Sequence, residues 1–192
     1  MYTLVTIRDF NSTHPDFNRG IYSLAATTGI VEPQLGPDGK PVCANIYGTC
    51  GASCSSLPSA GLPMLDDCTT MAQWFNTVPG VNVEISVLEP LAPDPTTGLY
   101  SFTPPSFFPI DGLMFNEMSS YFGSPMHNFF FTTEMTTNFV YRGGEYFTFQ
   151  GDDDVWCFID GRLVLDRRTM AGYLMTAMNL LAMLVFPLFF VE

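Results

Sequence analysis

The segment from Tyr146 to Leu165, YFTFQGDDDVWCFIDGRLVL, carries the clearest β-sheet pattern in the chain. Aromatic and β-branched residues fill its apolar runs, as they do in strands. The pair Asp160-Gly161 separates two of these runs and is typical of a two-residue hairpin turn. The segment therefore predicts one strand that leads into an acidic turn, followed by two strands that pair through a tight hairpin.

Short runs of the same composition recur along the chain and predict an all-β fold. Gly, Pro and Asn separate them at short intervals, which is typical of a β-sandwich or a barrel. In Val83–Val87 apolar and polar residues alternate, so we expect a half-buried strand there. The other predicted strands are Tyr2–Ile7, Leu99–Thr103, His127–Thr133 and Asn138–Tyr141.

One short helix is predicted within Met64–Val78, because apolar residues recur there at helical spacing. Asp66 or Asp67 is suited to cap its first turn, since Asp accepts hydrogen bonds from the free backbone N–H groups. We expect Trp74 and Phe75 on this segment to pack in the core.

The C-terminal segment 170–191 contains no charged residue and is rich in Leu, Met and Phe. As a helix it is long enough to span a bilayer, which allows membrane association through this segment. Arg167 and Arg168 precede it, however, and on the outer side of a membrane they oppose the positive-inside bias. A buried terminal helix and a tail foreign to the domain are the alternatives. We therefore divide the chain into a domain, 1–169, and an apolar C-terminal helix, 170–192.

The chain is strongly acidic, with 19 Asp and Glu against 7 Lys and Arg and a formal net charge of −12. This field repels phosphate backbones, so DNA and RNA are excluded as expected partners, whereas divalent cations are favoured. The aromatic content of 15% excludes a disordered acidic tail, because such tails lack the residues that build a core.

Four of the five cysteines lie in a loop rich in Gly, Pro and Ser: Cys43, Cys50, Cys54 and Cys68. Their spacing does not match the usual zinc motifs, and two disulfides that clamp a long loop fit better. Four cysteines allow three pairings, and the sequence leaves these open. Cys157 lies inside an apolar strand run, where we expect a buried free thiol.

Two features of the N-terminal region bear on localisation. The sequon at Asn11 makes this residue a glycosylation candidate. The first residues lack a basic region followed by an apolar one, so no signal peptide is visible. Either the chain is cytosolic, or it is an incomplete copy of a secreted protein. We favour the second interpretation and expect an extracellular or cell-surface location.

The acidic turn contains three consecutive carboxylates, Asp152, Asp153 and Asp154. Ca²⁺ takes about six to eight oxygen ligands, and clustered carboxylates suit it. A bound ion would also remove the repulsion between the acids. The alternative is a solvated turn in which Asp acts only as a good turn former.

A series of motifs occurs in one order along residues 4–166: RDF at 8–10, HPDF at 14–17, GIVEPQLGPDGKPV at 29–42, QWFNTVPGVN at 73–82, FFPIDG at 107–112, HNFFFTTEM at 127–135 and FTFQGDDDVWCFIDGRLVLD at 147–166. Together they resemble the fibro-slime domain. This PA14-related β-sandwich occurs in secreted signalling and matrix proteins of slime moulds and in bacterial surface proteins.

The resemblance implies an antiparallel β-sandwich with a calcium site. In PA14-type lectins a pair of adjacent Asp residues, often joined by a cis peptide bond, holds Ca²⁺ while the ion binds sugar hydroxyls. The motif FIDG at 158–161 places this pair on Asp152 and Asp153, with Asp154 as a further ligand-binding candidate at a position where many relatives have Gly. Beyond Asp166 the family's continuation is replaced, which implies a domain truncated after about residue 166.

The resemblance and the acidic turn predict an extracellular carbohydrate-binding or adhesion module that uses Ca²⁺ and binds glycans or extracellular matrix. The alternatives are a structural matrix or cell-surface domain without ligand-binding activity, and an inactive truncated fragment. We expect no enzymatic activity, because glycoside hydrolysis needs two carboxylates facing each other across about 5–9 Å, which neighbours on one turn do not provide. We expect His14 and His127 to form local hydrogen bonds.

Overall fold

A computed structural model of the chain describes residues 2–17, 29–44, 67–101, 107–120, 125–140, 143, 146–149, 154–168, 173–176 and 183–191. Nearly all regular structure in these ranges is β-strand, which confirms the all-β class. The elements are β1 (Tyr2–Phe10), α1 (Cys68–Met71), β2 (Asn82–Pro90), β3 (Phe131–Val140), β4 (Tyr146–Phe149), β5 (Asp154–Ile159), β6 (Arg162–Arg168), β7 (Tyr173–Thr176) and β8 (Met183–Val191).

Six strands form one antiparallel sheet in the order β2-β1-β3-β8-β5-β6, and β4 pairs with β7 in a second sheet. The predicted hairpin is present between β5 and β6. Its turn residues Asp160 and Gly161 have φ values of 51° and 72°, which is the conformation of a type I′ turn. This turn twists in the same sense as the strands, which is why Asp-Gly favours it.

The C-terminal segment differs most from the prediction. Residues 173–176 and 183–191 are strands, so the predicted apolar helix is wrong for the described part of 170–192. β8 lies inside the large sheet, where it pairs with β3 along its length and with β5 through 188–191. A continuous apolar run is typical of such an interior strand as well as of a helix, so composition alone does not distinguish them.

Proline inside β8 is compatible with this position. The pairing of β8 with β5 ends at Leu188, and Pro187 is the next residue beyond it. Its missing N–H therefore interrupts no hydrogen bond to β5. No helix among the described residues is both long and apolar enough to cross a bilayer.

The large sheet has apolar clusters on both faces. Successive side chains of a strand point to opposite faces, and β1 accordingly contributes Val5 and Ile7 to one cluster and Phe10 to the other. The larger cluster is built around Trp74 and Trp156, whose ring centroids are 6.1 Å apart. The predicted core positions of Trp74 and Phe75 agree with the structure, in which both are buried.

The helix is shorter than the predicted Met64–Val78. Asp67 caps α1, and its carboxylate accepts hydrogen bonds from the N–H groups of Thr69 and Thr70. Beyond Met71 the chain turns instead of continuing as a helix. The buried Asn82 holds this turn, because its amide donates to the carbonyl groups of Gln73 and Asn76 and accepts from the N–H of Val78.

Four predicted strands also differ from the structure. The expected strands His127–Thr133 and Asn138–Tyr141 correspond to one strand, β3. In the described part of Leu99–Thr103 only an isolated bridge between Tyr100 and Pro93 is present. The predicted strand Val83–Val87 lies in β2, but it is more exposed than expected because β2 is the edge of the sheet.

Residues 29–44 form a folded-back segment that covers the opposite edge of the large sheet. Val31 pairs with Cys43 at the base of this segment. Farther along it, Leu35 N–H donates to the carbonyl of Gly161, and Leu163 N–H donates to the carbonyl of Pro33. The edge of β6 near the hairpin turn is therefore partly occupied by the chain itself.

A disulfide between Cys43 and Cys68 joins this segment to the start of α1, with a Cα–Cα distance of 5.4 Å. The other two loop cysteines, Cys50 and Cys54, lie outside the described residues. Cys157 is a buried free thiol, as the sequence predicts, and burial strongly raises its pKa. The disulfide therefore links the covering segment to the helix that precedes the core residues Trp74 and Phe75.

The first prediction concerns this cross-link. The double substitution Cys43→Ser/Cys68→Ser should lower the free energy of unfolding by about 2–4 kcal/mol, because the disulfide restricts the unfolded chain. For a chain of this size Tm should fall by roughly 5–15 °C, measured by circular dichroism. Wild type in reducing agent should lose at least as much unfolding free energy as the double variant does. A double variant as stable as oxidised wild type would contradict the stabilising role of the bond.

Candidate functional site

The acidic turn lies where the chain passes from the small sheet to the large one. β4 ends at Phe149 in the small sheet, and β5 begins at Asp154 in the large sheet. Asp152 and Asp153 lie outside the described residues, so the structure tests neither their ligand geometry nor the expected cis peptide bond. The structure does define the strand that immediately follows them.

That strand is firmly anchored. Val155, Trp156, Cys157 and Phe158 of β5 have exposed fractions of 0–1%, and β5 pairs with a neighbour on each side. A loop attached to such a strand has one end fixed in space. In the sequence, Asp153 immediately precedes the first residue of this strand.

Two arginines of β6 lie at the end of the large sheet where β5 begins. The antiparallel register places Arg168 opposite Asp154 and Arg167 opposite Val155. On the other side of β5, Val191 lies opposite Asp154. Residues of opposite charge are favourable at directly paired positions of antiparallel strands, and the register places such a pair, Asp154 and Arg168, at the start of β5.

Asp166 holds the neighbouring elements together. One of its carboxylate oxygens accepts a hydrogen bond from Trp156 Nε1 at 3.1 Å, and the other accepts from the N–H of Gly29 at 2.6 Å. This carboxylate therefore orients the buried indole and also fixes the start of the segment 29–44. No sequence pattern indicates this role, because Gly29 is 137 residues away.

A network of four charged side chains lies beside β1. Arg8 Nη2 is 2.9 Å from Glu84 Oε2, and Arg8 Nη1 is 3.0 Å from Glu134 Oε2. Lys40 Nζ reaches both oxygens of Glu134, at 2.7 and 2.6 Å. The two cations and two anions balance in charge, and they connect β1, β2, β3 and the segment 29–44.

The network is largely withdrawn from water. The Arg8 side chain is 5% exposed, and that of Glu134 is 12% exposed. Arg8 Nε is buried without a hydrogen-bond partner among the described residues. Removing one partner of a buried ion pair leaves an uncompensated charge, which is costly. We therefore assign this network a structural role.

A second polar network begins at the adjacent residue, Asp9. Asp9 is fully buried, and its carboxylate accepts hydrogen bonds from Asn128 Nδ2 at 2.9 Å and Phe115 N–H at 2.8 Å. Asp111 accepts from the N–H of Asn128 at 2.8 Å and lies 2.6 Å from His127 Nδ1. The network therefore attaches the segment 107–116 to β1 and to the start of β3.

The pKa values of the two carboxyl groups in this network are shifted in opposite directions. Burial raises the pKa of Asp9, although hydrogen bonds from Asn128 and Phe115 act to lower it. Partial burial also acts to raise the pKa of Asp111, but hydrogen bonds from the Asn128 N–H and from His127 outweigh it and hold this pKa below its ordinary value. Asp111 is therefore stabilised as the carboxylate, whereas Asp9 is not.

His14 forms the expected local hydrogen bond, in which its Nδ1 accepts from the N–H of Asp16 at 3.3 Å, and both histidines also contact polar side chains farther along the chain. His14 Nε2 lies 3.1 Å from Gln73 Oε1, and His127 is oriented by Asp111. The His127 ring also stacks on Phe108, with centroids 3.8 Å apart and planes 3° from parallel. These contacts account for the positions of the two rings, and no cluster of metal-binding side chains surrounds either ring within the described ranges.

The side chain of the glycosylation candidate Asn11 takes part in the fold. Its Nδ2 donates to Glu117, whose second carboxylate oxygen accepts from the N–H of Ser12 at 2.9 Å. Asn11 Oδ1 accepts from the hydroxyl of Thr13 at 2.7 Å. Because Nδ2 is the atom that would carry a glycan, glycosylation at Asn11 would have to replace its contact with Glu117.

Among the described residues, no group of three or more His, Cys, Asp or Glu side chains could hold a metal ion. Asp152 and Asp153 lie outside these residues. The metal-site prediction therefore concerns a part of the chain for which only the flanking strands are defined. The residues with structural roles that sequence reasoning missed in the described part are Asp166, Asp111 and the partners of Arg8.

The chain is similar to several proteins of Dictyostelium discoideum. It is 40% identical over 166 residues to Protein psiD, covering 84% of this chain and 31% of that protein. It is 37% identical over 167 residues to Protein psiR, covering 81% of this chain and 15% of that protein. For Protein psiJ the identity is 36% over 179 residues, covering 84% of this chain and 24% of that protein.

The chain spans less than a third of the length of these relatives. The names of the relatives state no activity, ligand or partner. No family model matches the chain. No solved structure matches it significantly.

The second prediction tests the network around Arg8. Arg8→Met should lower the free energy of unfolding by about 3–5 kcal/mol, because it leaves Glu134 and Glu84 without their shared cation. Lys40→Met should cost less, since Arg8 still compensates Glu134. Adding Glu134→Gln to Arg8→Met should recover part of the loss. Urea denaturation measures all three, and equal losses for Arg8→Met and Lys40→Met would contradict the assignment.

The third prediction concerns Asp111 and acid stability. Because the pKa of Asp111 is lower in the folded chain than in the unfolded chain, this group stabilises the fold above the unfolded pKa of about 3.9. That contribution is lost as the pH falls further through the folded pKa. Asp111→Asn should therefore lose less stability than wild type below about pH 4. Urea denaturation between pH 2.5 and 7 measures this difference. If acidification lowers the free energy of unfolding of wild type and Asp111→Asn by the same amount, the role of Asp111 is ruled out.

Proposed function

We propose that the chain is an extracellular carbohydrate-binding or adhesion module with a PA14-like β-sandwich and a Ca²⁺ site at the acidic turn. The observation that supports this most directly is the anchoring of β5. A buried strand paired on both sides starts at Asp154, and the candidate ligands Asp152 and Asp153 immediately precede it. Ligands next to such a strand are held in place before the ion binds, which lowers the entropic cost of binding.

The donor chemistry of the turn fits calcium. The side chains of Gln150, Asp152, Asp153 and Asp154 offer only oxygen ligands apart from the amide nitrogen of Gln150. Hard oxygen ligands of this kind are those that Ca²⁺ prefers. The bound ion would supply a positive centre for sugar hydroxyls. The contribution of the chain itself is to hold Asp152 and Asp153 next to a fixed strand end.

An extracellular or cell-surface location is supported by the cysteines. Disulfides persist in oxidising compartments, and Cys43 and Cys68 are bonded in the folded domain. The sequon at Asn11 is compatible with the same route. Glycans or extracellular matrix are the partners that fit such a module, with no enzymatic activity and no nucleic acid.

A structural domain without ligand-binding activity is the second candidate, and the register around Asp154 favours it. Arg168 lies directly opposite Asp154 in the β5–β6 pair, so protein cations are available at this end of the sheet. If they compensate the acids fully, the turn needs no metal. An inactive truncated fragment is the third candidate, and it would show no cooperative unfolding.

The fourth prediction tests the calcium site. At a Ca²⁺ concentration 100 times Kd, binding should stabilise the fold by about 2.7 kcal/mol and raise Tm by roughly 5–10 °C. Asp152→Asn/Asp153→Asn should abolish this rise, because it removes two charged ligands. The matched control is Asp94→Asn, an exposed loop carboxylate that caps Thr96 and Thr97 and should leave the Ca²⁺ response intact.

The outcomes separate the candidates. A Tm that is unchanged by Ca²⁺ in a cooperatively folded wild type would favour the structural domain. A rise that survives Asp152→Asn/Asp153→Asn would place the ion elsewhere. Glycan arrays with and without chelator then test sugar binding, which should disappear with the chelator and in the double variant.

A further inference from the structure

β2 is an edge strand that the described chain leaves uncovered. All nine of its residues pair with β1 in an unbroken register from Tyr2–Pro90 to Phe10–Asn82, without a bulge. On its other side β2 has no neighbouring strand among the described residues. The opposite edge of the sheet differs, because Pro33 and Leu35 form hydrogen bonds along β6.

The exposed surface of β2 is largely apolar. Val83, Ile85 and Val87 are 40%, 40% and 45% exposed, and Leu88 is 68% exposed. Edge strands of monomeric proteins usually carry a Lys, an internal Pro or a bulge that prevents pairing with another chain. β2 contains no Lys, no bulge and no internal Pro, since Pro90 is the last residue of the strand, and its only charged residues are Glu84 and Glu89. Such an edge is a template for a further strand.

The charges of β2 leave its centre open to another strand. Glu84 is paired with Arg8 of the neighbouring β1 at 2.9 Å. The other acid, Glu89, lies next to the end of the strand. The central part of the edge therefore presents apolar side chains together with a carboxylate that is already compensated within the chain.

The sequence of β2 is complementary to itself. The apolar residues Val83 and Val87 lie symmetrically about Ile85, and Glu84 and Ser86 occupy the positions between them. In an antiparallel pair of two β2 strands centred on Ile85, each Val83 faces a Val87 and each Glu84 faces a Ser86. No two carboxylates face each other, and the serine hydroxyl can donate to the carboxylate.

We propose that β2 is the interface of a symmetric dimer in which two copies of this chain pair antiparallel about Ile85. The paired strands join the two large sheets into one continuous sheet. A twofold axis is the commonest symmetry of homo-oligomers, and it requires a self-complementary surface of this kind. The occupant is a second copy of this chain because the alternation that β2 presents is matched by β2 itself.

The high negative charge of the chain opposes this association. Each copy carries a formal net charge of −12, so two copies repel each other at long range. Salt screens this repulsion within about 8–10 Å at physiological ionic strength, whereas the apolar contacts and backbone hydrogen bonds are little affected. Dimerisation should therefore strengthen with added NaCl, which distinguishes it from association through ion pairs.

The fifth prediction tests the dimer by analytical ultracentrifugation of the 192-residue chain over a concentration series at low and high NaCl. Wild type should convert from the 21.3 kDa monomer to a dimer as concentration rises, at lower concentration in high salt. Ile85→Lys should raise the dimer Kd at least tenfold, because it places two ammonium groups opposite each other. The control Val164→Lys, at a 48% exposed position on β6, should leave Kd unchanged.

A cross-linking experiment provides a readout that does not depend on charge. Directly opposed Cα atoms of antiparallel strands are about 4.5–5.5 Å apart, within the range of a disulfide. Ile85→Cys should form an intermolecular disulfide on mild oxidation, and Val164→Cys should not. A wild type that stays monomeric at all concentrations, or a dimer that Ile85→Lys does not weaken, would overturn the proposal. So would an Ile85→Cys variant that cross-links no better than Val164→Cys.

Discussion

Two oppositely charged neighbours on an interior strand, Arg8 and Asp9, impose the constraint on which the large sheet depends. Both residues are buried, with 4% and 0% exposure. Because they are adjacent in a strand, their side chains enter opposite faces of the sheet. Each face must therefore supply partners for one charge, and slipping the register by one residue would exchange the faces and leave both charges without partners.

The partners of these two residues organise the rest of the domain. Arg8 forms ion pairs with Glu84 of β2 and Glu134 of β3. Glu134 also pairs with Lys40 of the segment 29–44. Asp9 binds Asn128 and the backbone of Phe115, which brings the segment 107–116 onto the other face. The ion pairs and hydrogen bonds specify register and coverage, whereas the two apolar clusters supply most of the stabilisation through burial.

The sequence predicts local elements better than it predicts their surroundings. The β5–β6 hairpin is visible in advance because an Asp-Gly turn and two apolar runs encode it locally. The helix is overestimated because Asn82, which turns the chain back, acts through hydrogen bonds to Gln73 and Asn76 that no periodicity reveals. The C-terminal run is misassigned because an apolar segment fits a buried strand as well as a helix, and only its pairing with β3 and β5 decides.

The charge environment of the candidate site is likewise only partly predictable from the sequence. Three neighbouring acids are evident from the sequence, but their effect depends on which cations lie near them, and β6 places Arg168 opposite Asp154 through pairing. The chain has only 7 Lys and Arg, and two of these, Arg8 and Lys40, are engaged in the buried network. We therefore propose that the acidic turn attracts a divalent cation, because several carboxylate oxygens can bind such an ion at once.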